Sequence, residues 1–493
     1  MDPLTKGSAL ILYIAVMLVI GWWSMRRTRN VGDFFVGGRT IGPWISAFAY
    51  GTTYFSAVLF VGFAGKLGWG FGTHVLWIAL GNGMVGTLLA WAVLARPTRE
   101  MTARLGAITM PEFLAARYGV GWLRPAAALV VFLFLAPYSA SVYQGLGYLV
   151  EANLGMGYTL AIILMAAITG IYLVMGGYFA VALTDLIQGA LQVFGVVTMV
   201  LIIAKASGLG LVGAAMGSAE PANTPGLATP PGALVPGWLM LASLVFMTSV
   251  GPWGLPQMVQ KFYAIRDRDA IRRGMVVATF FSLLIAGGAY YCGALTHAFY
   301  PSAAALPQGP AGPDFDRLIP DMLTAHAPEW FAIVVLLVVM AASMSTLSSL
   351  VLVSSAAITV DVLGRSRKDD RVGLLVMRLL CGVFVGLSVV IAMTRPAAIV
   401  NLMAMSWGCL AGAFIGPYVW GLLWRKATPA GAIAGFVLGL ATAITLFVLW
   451  GVPHSPVAAS CAIVVSLIAV PAVSLASPGR GVEPAVRAFG DPA

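Results

Sequence analysis

The sequence predicts an all-α, polytopic membrane protein, and three observations support this fold class. Hydrophobic residues make up 60% of the 493 residues and charged residues only 9%, whereas a soluble domain carries about 25% charged residues. Apolar runs of the ~20 residues that a spanning helix needs recur along the whole chain. Basic residues fall between these runs, as expected of cytoplasmic loops. We therefore expect the lipid bilayer to be the main solvent of this chain.

Thirteen apolar runs are candidate spans, and two of them have unusual lengths. The run 237–250 is short for a span and the run 328–362 is long. The first run is followed by Arg26 and Arg27, so it is interpreted as a spanning helix and not as a cleavable signal. The candidates are 8–25, 43–66, 73–95, 122–146, 157–176, 182–204, 237–250, 274–298, 328–362, 373–394, 398–424, 428–450 and 455–475.

The distribution of basic residues predicts the orientation of the chain. If the N-terminus lies outside, 23 of the 28 Lys and Arg residues fall on the cytoplasmic side, which agrees with the positive-inside rule. In this arrangement the fourth inner loop begins at Lys261. The sequence thus predicts a bacterial inner-membrane protein with a periplasmic N-terminus and a cytoplasmic C-terminus. The net charge of +10 belongs to these loops, so no nucleic-acid partner is expected.

The sequence offers no sign of catalysis, ATP use or a transition-metal site. The four cysteines and four histidines are scattered, and no pair has the spacing of metal ligands. No glycine-rich phosphate loop is present, and no stretch has the composition of a soluble domain. We therefore expect neither an enzyme nor an ATP-driven pump, and no obligate protein partner is evident.

Two candidate spans carry residues that interrupt a helix. In the span 43–66, the stretch Gly51-Thr-Thr-Tyr-Phe-Ser56 is small and polar, which favours an unwound turn whose freed carbonyls need partners. The alternative is an unbroken helix whose hydroxyls bond back to their own turn. The run 237–250 leads into Gly251-Pro-Trp-Gly-Leu-Pro256, which cannot continue a regular helix. Here the alternative is an ordinary loop after a short helix.

Two further polar features lie inside apolar runs. Ser345, Ser348, Ser349 and Leu352 follow the i, i+3, i+4, i+7 spacing that places them on one helix face. Hydroxyl oxygens suit a hard cation such as sodium, although small residues also serve plain helix packing. Asp185 is the only charged residue between Glu151 and Lys205. An ionisable group inside a span is a functional candidate, and the alternative is an interfacial helix cap.

Three segments together resemble the sodium/solute symporter family, which includes proline, pantothenate, sugar and monocarboxylate carriers. They are residues 33–72, 172–192 and 341–362, and they occur in family order. The resemblance implies a LeuT-type fold with two inverted five-helix repeats, flanking helices and about 13 transmembrane helices. The implied division of the chain is a first helix and loop at 1–42, a first repeat and outer loop at 43–236, a second repeat at 237–424, and flanking helices with a tail at 425–493.

The resemblance also implies which residues bind the transported species. The sodium site is expected to use the carbonyls of Thr52, Phe55 and Ala342 and the hydroxyls of Ser345 and Thr346. A second sodium site or an exit path is expected at Asp185, Ser348 and Ser349. The expected solute-site residues are Tyr54, Ser56, Ala57, Val58, Leu59, Tyr138, Gly251 and Trp253.

Departures from the family pattern narrow the expected solute. Val58 and Leu59 stand where sugar carriers place a Glu-Gln pair, and Tyr54 stands where proline carriers have Asp. The resemblance therefore implies a Na⁺-coupled symporter that imports a small organic solute by alternating access. A monocarboxylate, a pantothenate-like acid or an amino acid is the expected solute. The alternatives are a proton-coupled carrier with Asp185 as its relay, and a transporter-like membrane sensor.

Overall fold

The computed structural model describes residues 3–25, 35, 39–217, 224–229, 233–309, 312–364, 371–477 and 488–489. The fold is helical, and the strands described are one short antiparallel hairpin, Gln308–Gly309 with Gly312–Pro313. The first half contains the helices Pro3–Met25, Pro43–Tyr54, Val58–Phe63, Ala64–Phe71, Gly72–Val75, Leu76–Gly83, Met84–Leu89, Trp91–Ala95, Arg96–Leu105, Met110–Tyr118, Leu123–Leu154, Tyr158–Ala206, Gly210–Gly217 and Pro225–Leu227. The second half contains Gly237–Val250, Gly251–Gly254, Pro256–Tyr263, Arg268–Ala294, Thr296–Phe299, Ala303–Ala305, Phe315–Arg317, Leu318–His326, Glu329–Ala356, Ala357–Val362, Arg371–Thr394, Ile399–Leu423, Pro429–Trp450, Val452–His454 and Ser455–Ala476.

The chain is a multi-pass membrane protein, although the count of thirteen spans is not confirmed. Among the described residues, ten helices are long and apolar enough to cross a membrane, or eleven if one bent helix pair is a single span. One difference lies in the stretch Val58–Leu105, which counts as a single candidate although Gly72 turns it with a φ of 55°. Another is Tyr158–Ile171, which is apolar but shorter than a span.

The first predicted interruption is present. The helix Pro43–Tyr54 ends at Phe55, whose φ of −112° and ψ of 104° are extended, and helical structure resumes at Val58. Gly51 lies just before the break. Only glycine fits there, because Phe281 packs against it and a Cβ would lie 2.3 Å from the Phe281 ring. We call Pro43–Tyr54 and its continuation Val58–Phe71 the first broken helix.

The second predicted interruption is also present, and the chain continues as a helix beyond it. Gly237–Val250 passes into a tight turn, Leu255 is extended, and Pro256–Tyr263 follows at an angle of 47°. Proline fits the first turn of that helix because its missing N–H would have no partner there. The alternative of an ordinary loop is therefore wrong. We call Gly237–Tyr263 the second broken helix.

The position of Lys261 among the basic residues indicated that it begins a solvated inner loop, and that prediction is wrong. Lys261 lies in Pro256–Tyr263, and its side chain is 1% exposed. The hydrophobicity pattern missed this because the apolar run ended at Val250, and the helix after the break has polar residues on one face. The basic loop residues begin instead at Arg266, whose side chain is 61% exposed.

The helix Glu329–Ala356 runs through the centre of the molecule. In its most apolar stretch 78% of residues are buried, against 28% for Arg371–Thr394. We call Glu329–Ala356 the hydroxyl helix because of its serines and Thr346. Large apolar side chains such as Phe280 and Val448 are exposed on the outer helices, as expected of surfaces that face lipid. Polar residues of the hydroxyl helix are therefore shielded from both lipid and water.

Basic residues of the predicted inner loops gather at one end of the helix bundle. Asp361, just after the hydroxyl helix, accepts hydrogen bonds from Arg124 at 2.8 Å and from Thr109 at 2.9 Å. Arg124 also pairs with Glu112 at 2.9 Å. Arg39, in the predicted first inner loop, donates a hydrogen bond to Thr102, in the predicted second inner loop. These contacts join segments that the charge pattern assigned to the same side of the membrane.

Candidate sodium and solute sites

The first broken helix and the hydroxyl helix meet through uncharged oxygen atoms. The Ser345 hydroxyl lies 3.0 Å from the carbonyl oxygens of both Thr52 and Ala342. The Thr346 hydroxyl lies 3.1 Å from the Thr52 carbonyl and 3.2 Å from that of Ala342. All four residues are fully buried. These oxygens are the ligand type that hard cations take in proteins.

The break in the first helix explains why these carbonyls are available. A helix leaves its last four carbonyls without backbone partners, and Pro43–Tyr54 ends only two residues after Thr52. The Thr346 hydroxyl also reaches the Thr53 carbonyl, at 3.3 Å. Phe55 adopts the extended conformation that ends the helix, and its N–H bonds to Gly51. Of the five predicted sodium ligands, Thr52, Ala342, Ser345 and Thr346 are thus joined by contacts, and Phe55 is adjacent in the chain.

A second polar group lies one helical turn further along the hydroxyl helix. Ser349 is 3.0 Å from the Thr53 hydroxyl and 2.9 Å from Lys261 Nζ. Lys261 also pairs with Asp185, with 3.4 Å between Nζ and Oδ2. Ser348 bonds back to the Met344 carbonyl of its own helix. The structure therefore brings together Asp185 and Ser349, and it adds a lysine that sequence reasoning had placed elsewhere.

Asp185 is not an interfacial helix cap. The chain kinks at Gly177, which has a φ of 60° inside Tyr158–Ala206, and Asp185 lies two turns into the helix that follows. Its side chain is 0% exposed, and its Oδ1 has no hydrogen-bond partner among the described residues. A buried carboxylate is costly unless a positive charge compensates it, and Lys261 is the cation in contact here.

A small cavity lies beside the oxygen cluster, between the two broken helices. Its volume is about 30 Å³, far below the ~300–1,000 Å³ of a small-molecule site, so the cavity wall has to move outward before a solute can bind. Five of the eight predicted solute-site residues line this cavity: Tyr54, Ser56, Val58, Leu59 and Tyr138. A sixth, Gly251, lies close to its wall. The other lining residues are Phe55, Phe63, Asn82, Thr248, Tyr290, Met403 and Trp407.

The remaining predicted solute residues lie outside the cavity wall. Ala57 packs against Gly145, where a Cβ would be 3.0 Å from that of Ala57. Gly251 lies behind Trp407, which itself lines the cavity. The Trp253 indole donates instead to the Val85 carbonyl at 3.1 Å. Gly251 is thus the sixth residue near the wall, whereas Trp253 joins the second broken helix to the helix that contains Val85.

The wall of the cavity is aromatic and polar but carries no charged side chain. The Tyr54 hydroxyl donates to the Thr248 carbonyl and so links the two broken helices. The Tyr138 hydroxyl interacts with Ser56, and its ring packs edge-on against Trp407 with centroids 5.8 Å apart. The Trp407 indole N–H is buried and has no hydrogen-bond partner among the residues that the structure describes. The site therefore offers neutral donors and ring faces, not a counter-charge.

Sequence reasoning missed several wall residues because each is ordinary in its own segment. Asn82 is a polar residue inside the apolar run 73–95, and it accepts a hydrogen bond from Ser249 at 3.4 Å. Thr248 lies three residues before the second break. Both signals were visible in the sequence, whereas Tyr290, Met403 and Trp407 are apolar or aromatic residues in apolar helices. Only the packing of the helices assigns them to the cavity.

Comparison with known proteins gives relatives that are sodium/solute symporters and that match most of this chain. The sodium/proline symporter of Escherichia coli K12 is 28% identical over 442 residues, which cover 88% of this chain and 86% of that protein. The sodium/pantothenate symporter of Haemophilus influenzae is 29% identical over 459 residues, covering 89% of each chain. Neither relative is an enzyme, in agreement with the absence of catalytic motifs.

Solved structures show the same fold. A Na⁺-coupled sialic acid symporter in a substrate-bound, outward-open state superposes with a TM-score of 0.77 at 19% identity, over 97% of this chain and 99% of that one. A nucleobase-cation-symport-1 family transporter in a closed conformation gives 0.56 at 16% identity, over 92% and 97%. The fold is therefore the expected LeuT type. The profile of the sodium:solute symporter family matches residues 34–439, so the chain belongs to the sodium:solute symporter family.

Proposed function

We propose that this chain couples the inward movement of Na⁺ to the import of a small organic solute that bears a carboxylate. One observation carries the proposal: a cluster of buried, uncharged oxygens joins the first broken helix to the hydroxyl helix, beside a cavity between the two broken helices. Paired broken helices at mid-membrane are where transporters of this architecture bind ions and solutes. The family to which the chain belongs supports sodium as the coupling ion.

The sodium ion is proposed to bind among Thr52, Phe55, Ala342, Ser345 and Thr346. Carbonyl oxygens of Thr52 and Ala342 already lie within 3.2 Å of the two hydroxyls, so little movement is needed to direct these oxygens at one ion. Because the ligands come from two separate helices, binding would hold those helices together. Sodium would therefore favour one arrangement of the helices over the other.

The solute is proposed to be a monocarboxylate, a pantothenate-like acid or an amino acid. The cavity is small and has no charged side chain, so a carboxylate would be held by neutral donors, by the bound sodium and by the positive end of a helix dipole. The helix that resumes at Val58 begins at the cavity wall. Relatives named for proline and for pantothenate fit a solute of this class.

The proposed cycle is alternating access. Sodium and solute bind from outside, and each raises the affinity for the other because both stabilise the same arrangement of helices. Closure and inward opening release sodium into the cytoplasm, along a path past Asp185. One sodium ion carried with a zwitterionic amino acid moves one net charge, and ~100 mV then contributes about 2.3 kcal/mol, enough to concentrate the solute roughly fiftyfold. One sodium ion carried with a monocarboxylate anion moves no net charge, so only the sodium concentration gradient drives that import.

We also propose that residues 43–236 and 237–424 are the two inverted repeats, with the N-terminus periplasmic and the C-terminus cytoplasmic in the bacterial inner membrane. Each half begins with a broken helix, at Pro43 and at Gly237. Arg39 contacts Thr102, and Arg124 contacts Glu112 and Asp361, so segments next to several predicted inner loops lie together, which supports a common cytoplasmic side.

The test is uptake by purified protein in liposomes. A thermal-shift screen of small acids, amino acids and vitamins, with and without Na⁺, would first identify a solute that stabilises the protein. Uptake of that solute should be driven by an inward sodium gradient and should not be driven by a proton gradient alone. Equal uptake with and without the sodium gradient would contradict the proposal, and uptake driven by protons and lost in Asp185→Asn would favour a proton-coupled carrier instead.

A further inference from the structure

The group formed by Lys261, Asp185 and Ser349 contains its own cation. Lys261 Nζ lies 2.9 Å from Ser349 Oγ and 3.4 Å from Asp185 Oδ2, and its third neighbour is the Tyr178 ring, with the centroid 5.3 Å away. A carboxylate, a hydroxyl and a ring face are the groups that an ammonium ion attracts. The side chains of Lys261 and Asp185 are at most 1% exposed. Water therefore does not solvate their charges, and each charge is compensated by the other.

The ammonium of Lys261 occupies the place where a second cation would have to bind. Asp185 and Ser349 are oxygen ligands that could hold a sodium ion, but both are in contact with Lys261. Two positive charges within hydrogen-bond distance of the same oxygens would repel each other strongly in this dry interior. A sodium ion and a charged Lys261 therefore cannot share Asp185 and Ser349.

The oxygen cluster around Thr52 differs in this respect. In the part of the chain that the structure describes, the hydroxyls of Ser345 and Thr346 hydrogen-bond only to backbone carbonyls. No side-chain cation contacts these two hydroxyls there. The two groups are linked through Ser349, which lies 3.0 Å from the Thr53 hydroxyl. The oxygen cluster around Thr52 is thus open to a free ion. The neighbouring group of Asp185 and Ser349 instead holds the ammonium of Lys261.

We propose that Lys261 is a tethered cation that replaces a second sodium ion between Asp185 and Ser349, so that the chain moves one sodium ion per solute. This inference rests on the proposed sodium-coupled function and fixes its stoichiometry. Lys261 belongs to the second broken helix, Asp185 to the helix after Gly177 and Ser349 to the hydroxyl helix. The side chain therefore holds three segments together as a bound ion would, but it does not leave the protein with the solute.

The inference is tested by the ratio of sodium to solute transported. Parallel uptake of radioactive sodium and radioactive solute by wild-type protein in liposomes should give a ratio of about one, and the sodium dependence of uptake should have a Hill coefficient of about one. A wild-type ratio of about two would overturn the inference while leaving sodium coupling intact. Solute uptake without any sodium flux would instead contradict the proposed function itself.

Three variants show whether Lys261 sets this ratio. Lys261→Gln removes the charge and leaves Asp185 and Ser349 to a free ion, so the ratio and the Hill coefficient should both rise to about two. Lys261→Arg keeps the charge and should keep the ratio at about one. If Lys261→Gln is too unstable for uptake assays, its thermal unfolding in detergent still tests the inference: sodium should raise its unfolding temperature more than that of Lys261→Gln with Asp185→Asn, which lacks the carboxylate ligand as well. An equal sodium-dependent shift in these two variants would overturn the inference. An active Lys261→Gln protein with an unchanged ratio would overturn the inference.

Discussion

Thr346 Oγ1 lies 3.1 Å from the carbonyl oxygen of Thr52, although the two residues are 294 positions apart in the chain. The contact exists because Pro43–Tyr54, the first part of the first broken helix, ends two residues after Thr52. The Thr52 carbonyl is therefore free at the place where the hydroxyl helix crosses it. A link of this kind, between a helix end and a hydroxyl, joins two segments that the proposed alternating-access cycle moves relative to each other.

Removing these hydroxyls should weaken the response to sodium. Ser345→Ala and Thr346→Ala should each raise the sodium concentration for half-maximal uptake by roughly 2- to 12-fold, which corresponds to the ~0.5–1.5 kcal/mol of a neutral hydrogen bond. The measurement is solute uptake at a series of sodium concentrations. Ser355→Ala is the matched control, because its hydroxyl bonds to the Val351 carbonyl of its own helix and interacts with Cys381, and neither residue belongs to the oxygen cluster. Unchanged sodium dependence in both site variants would reject the assigned ion site.

The link between the two broken helices should matter for solute affinity. Tyr54→Phe removes the hydroxyl that donates to the Thr248 carbonyl while leaving the ring in place against Phe55. We expect the solute concentration for half-maximal uptake to rise by roughly 2- to 12-fold, from the loss of one buried hydrogen bond. Tyr143→Phe is the control, since the buried Tyr143 hydroxyl has no hydrogen-bond partner in the described part of the chain and its ring is not among those that line the cavity. Equal changes in both variants would contradict a specific role for Tyr54.

The sequence could predict the broken helices and the oxygen cluster because each has a local signal. Glycine, proline and hydroxyl residues inside apolar runs mark positions where a helix cannot continue or where oxygen is offered. The resemblance to the family then assigned residues to roles. Both interruptions occur where predicted. Ser345, which lies on the predicted helix face, and Thr346, which the resemblance assigned, both contact the Thr52 carbonyl.

The role of Lys261 could not be predicted in the same way. Its nearest sequence neighbours, from Gln260 to Tyr263, continue towards a basic stretch, and the positive-inside rule assigns such residues to a loop. Only the packing of Pro256–Tyr263 against Pro43–Tyr54 and the hydroxyl helix, together with the ion pair to Asp185, shows that the side chain is buried. The cavity residues Tyr290 and Trp407 were missed for a related reason, because aromatic residues in apolar helices face lipid as often as a binding site.

Asp316 should make stability depend on pH in the acid range. It lies in the short helix Phe315–Arg317, outside the spans, and burial raises the pKa of its carboxyl to about 6 although the Ile399 N–H donates to it. The unfolded value is about 3.9. Because the folded state holds this proton more tightly, this group stabilises the fold below about pH 4, and that contribution is lost as the pH rises to about 6.

Asp316→Asn should remove this part of the pH dependence. The amide oxygen can still accept from the Ile399 N–H, and no buried charge has to form at neutral pH. We expect the variant to have a higher unfolding temperature than wild type at pH 7, by the equivalent of up to ~3 kcal/mol, and a similar one at pH 4. Thermal unfolding in detergent across pH 4–7 measures this difference. Asp269→Asn is the control at an exposed carboxylate in the first turn of Arg268–Ala294.

Trp407 provides a test that separates solute binding from stability. Its indole N–H is buried without a hydrogen-bond partner in the wall of the cavity, which is an unfavourable arrangement unless a ligand accepts that hydrogen bond. Trp407→Phe should therefore lower the affinity for the solute by roughly 2- to 12-fold or more, while the reduced ring size costs stability in either case. Trp91→Phe is the matched control, because Trp91 is also buried, its N–H also lacks a hydrogen-bond partner within the described ranges, and it lies outside the cavity. Solute titrations followed by thermal shift, with both variants in saturating sodium, give the comparison. A loss of affinity in Trp91→Phe as large as that in Trp407→Phe would show that the effect comes from packing and not from a hydrogen bond to the solute.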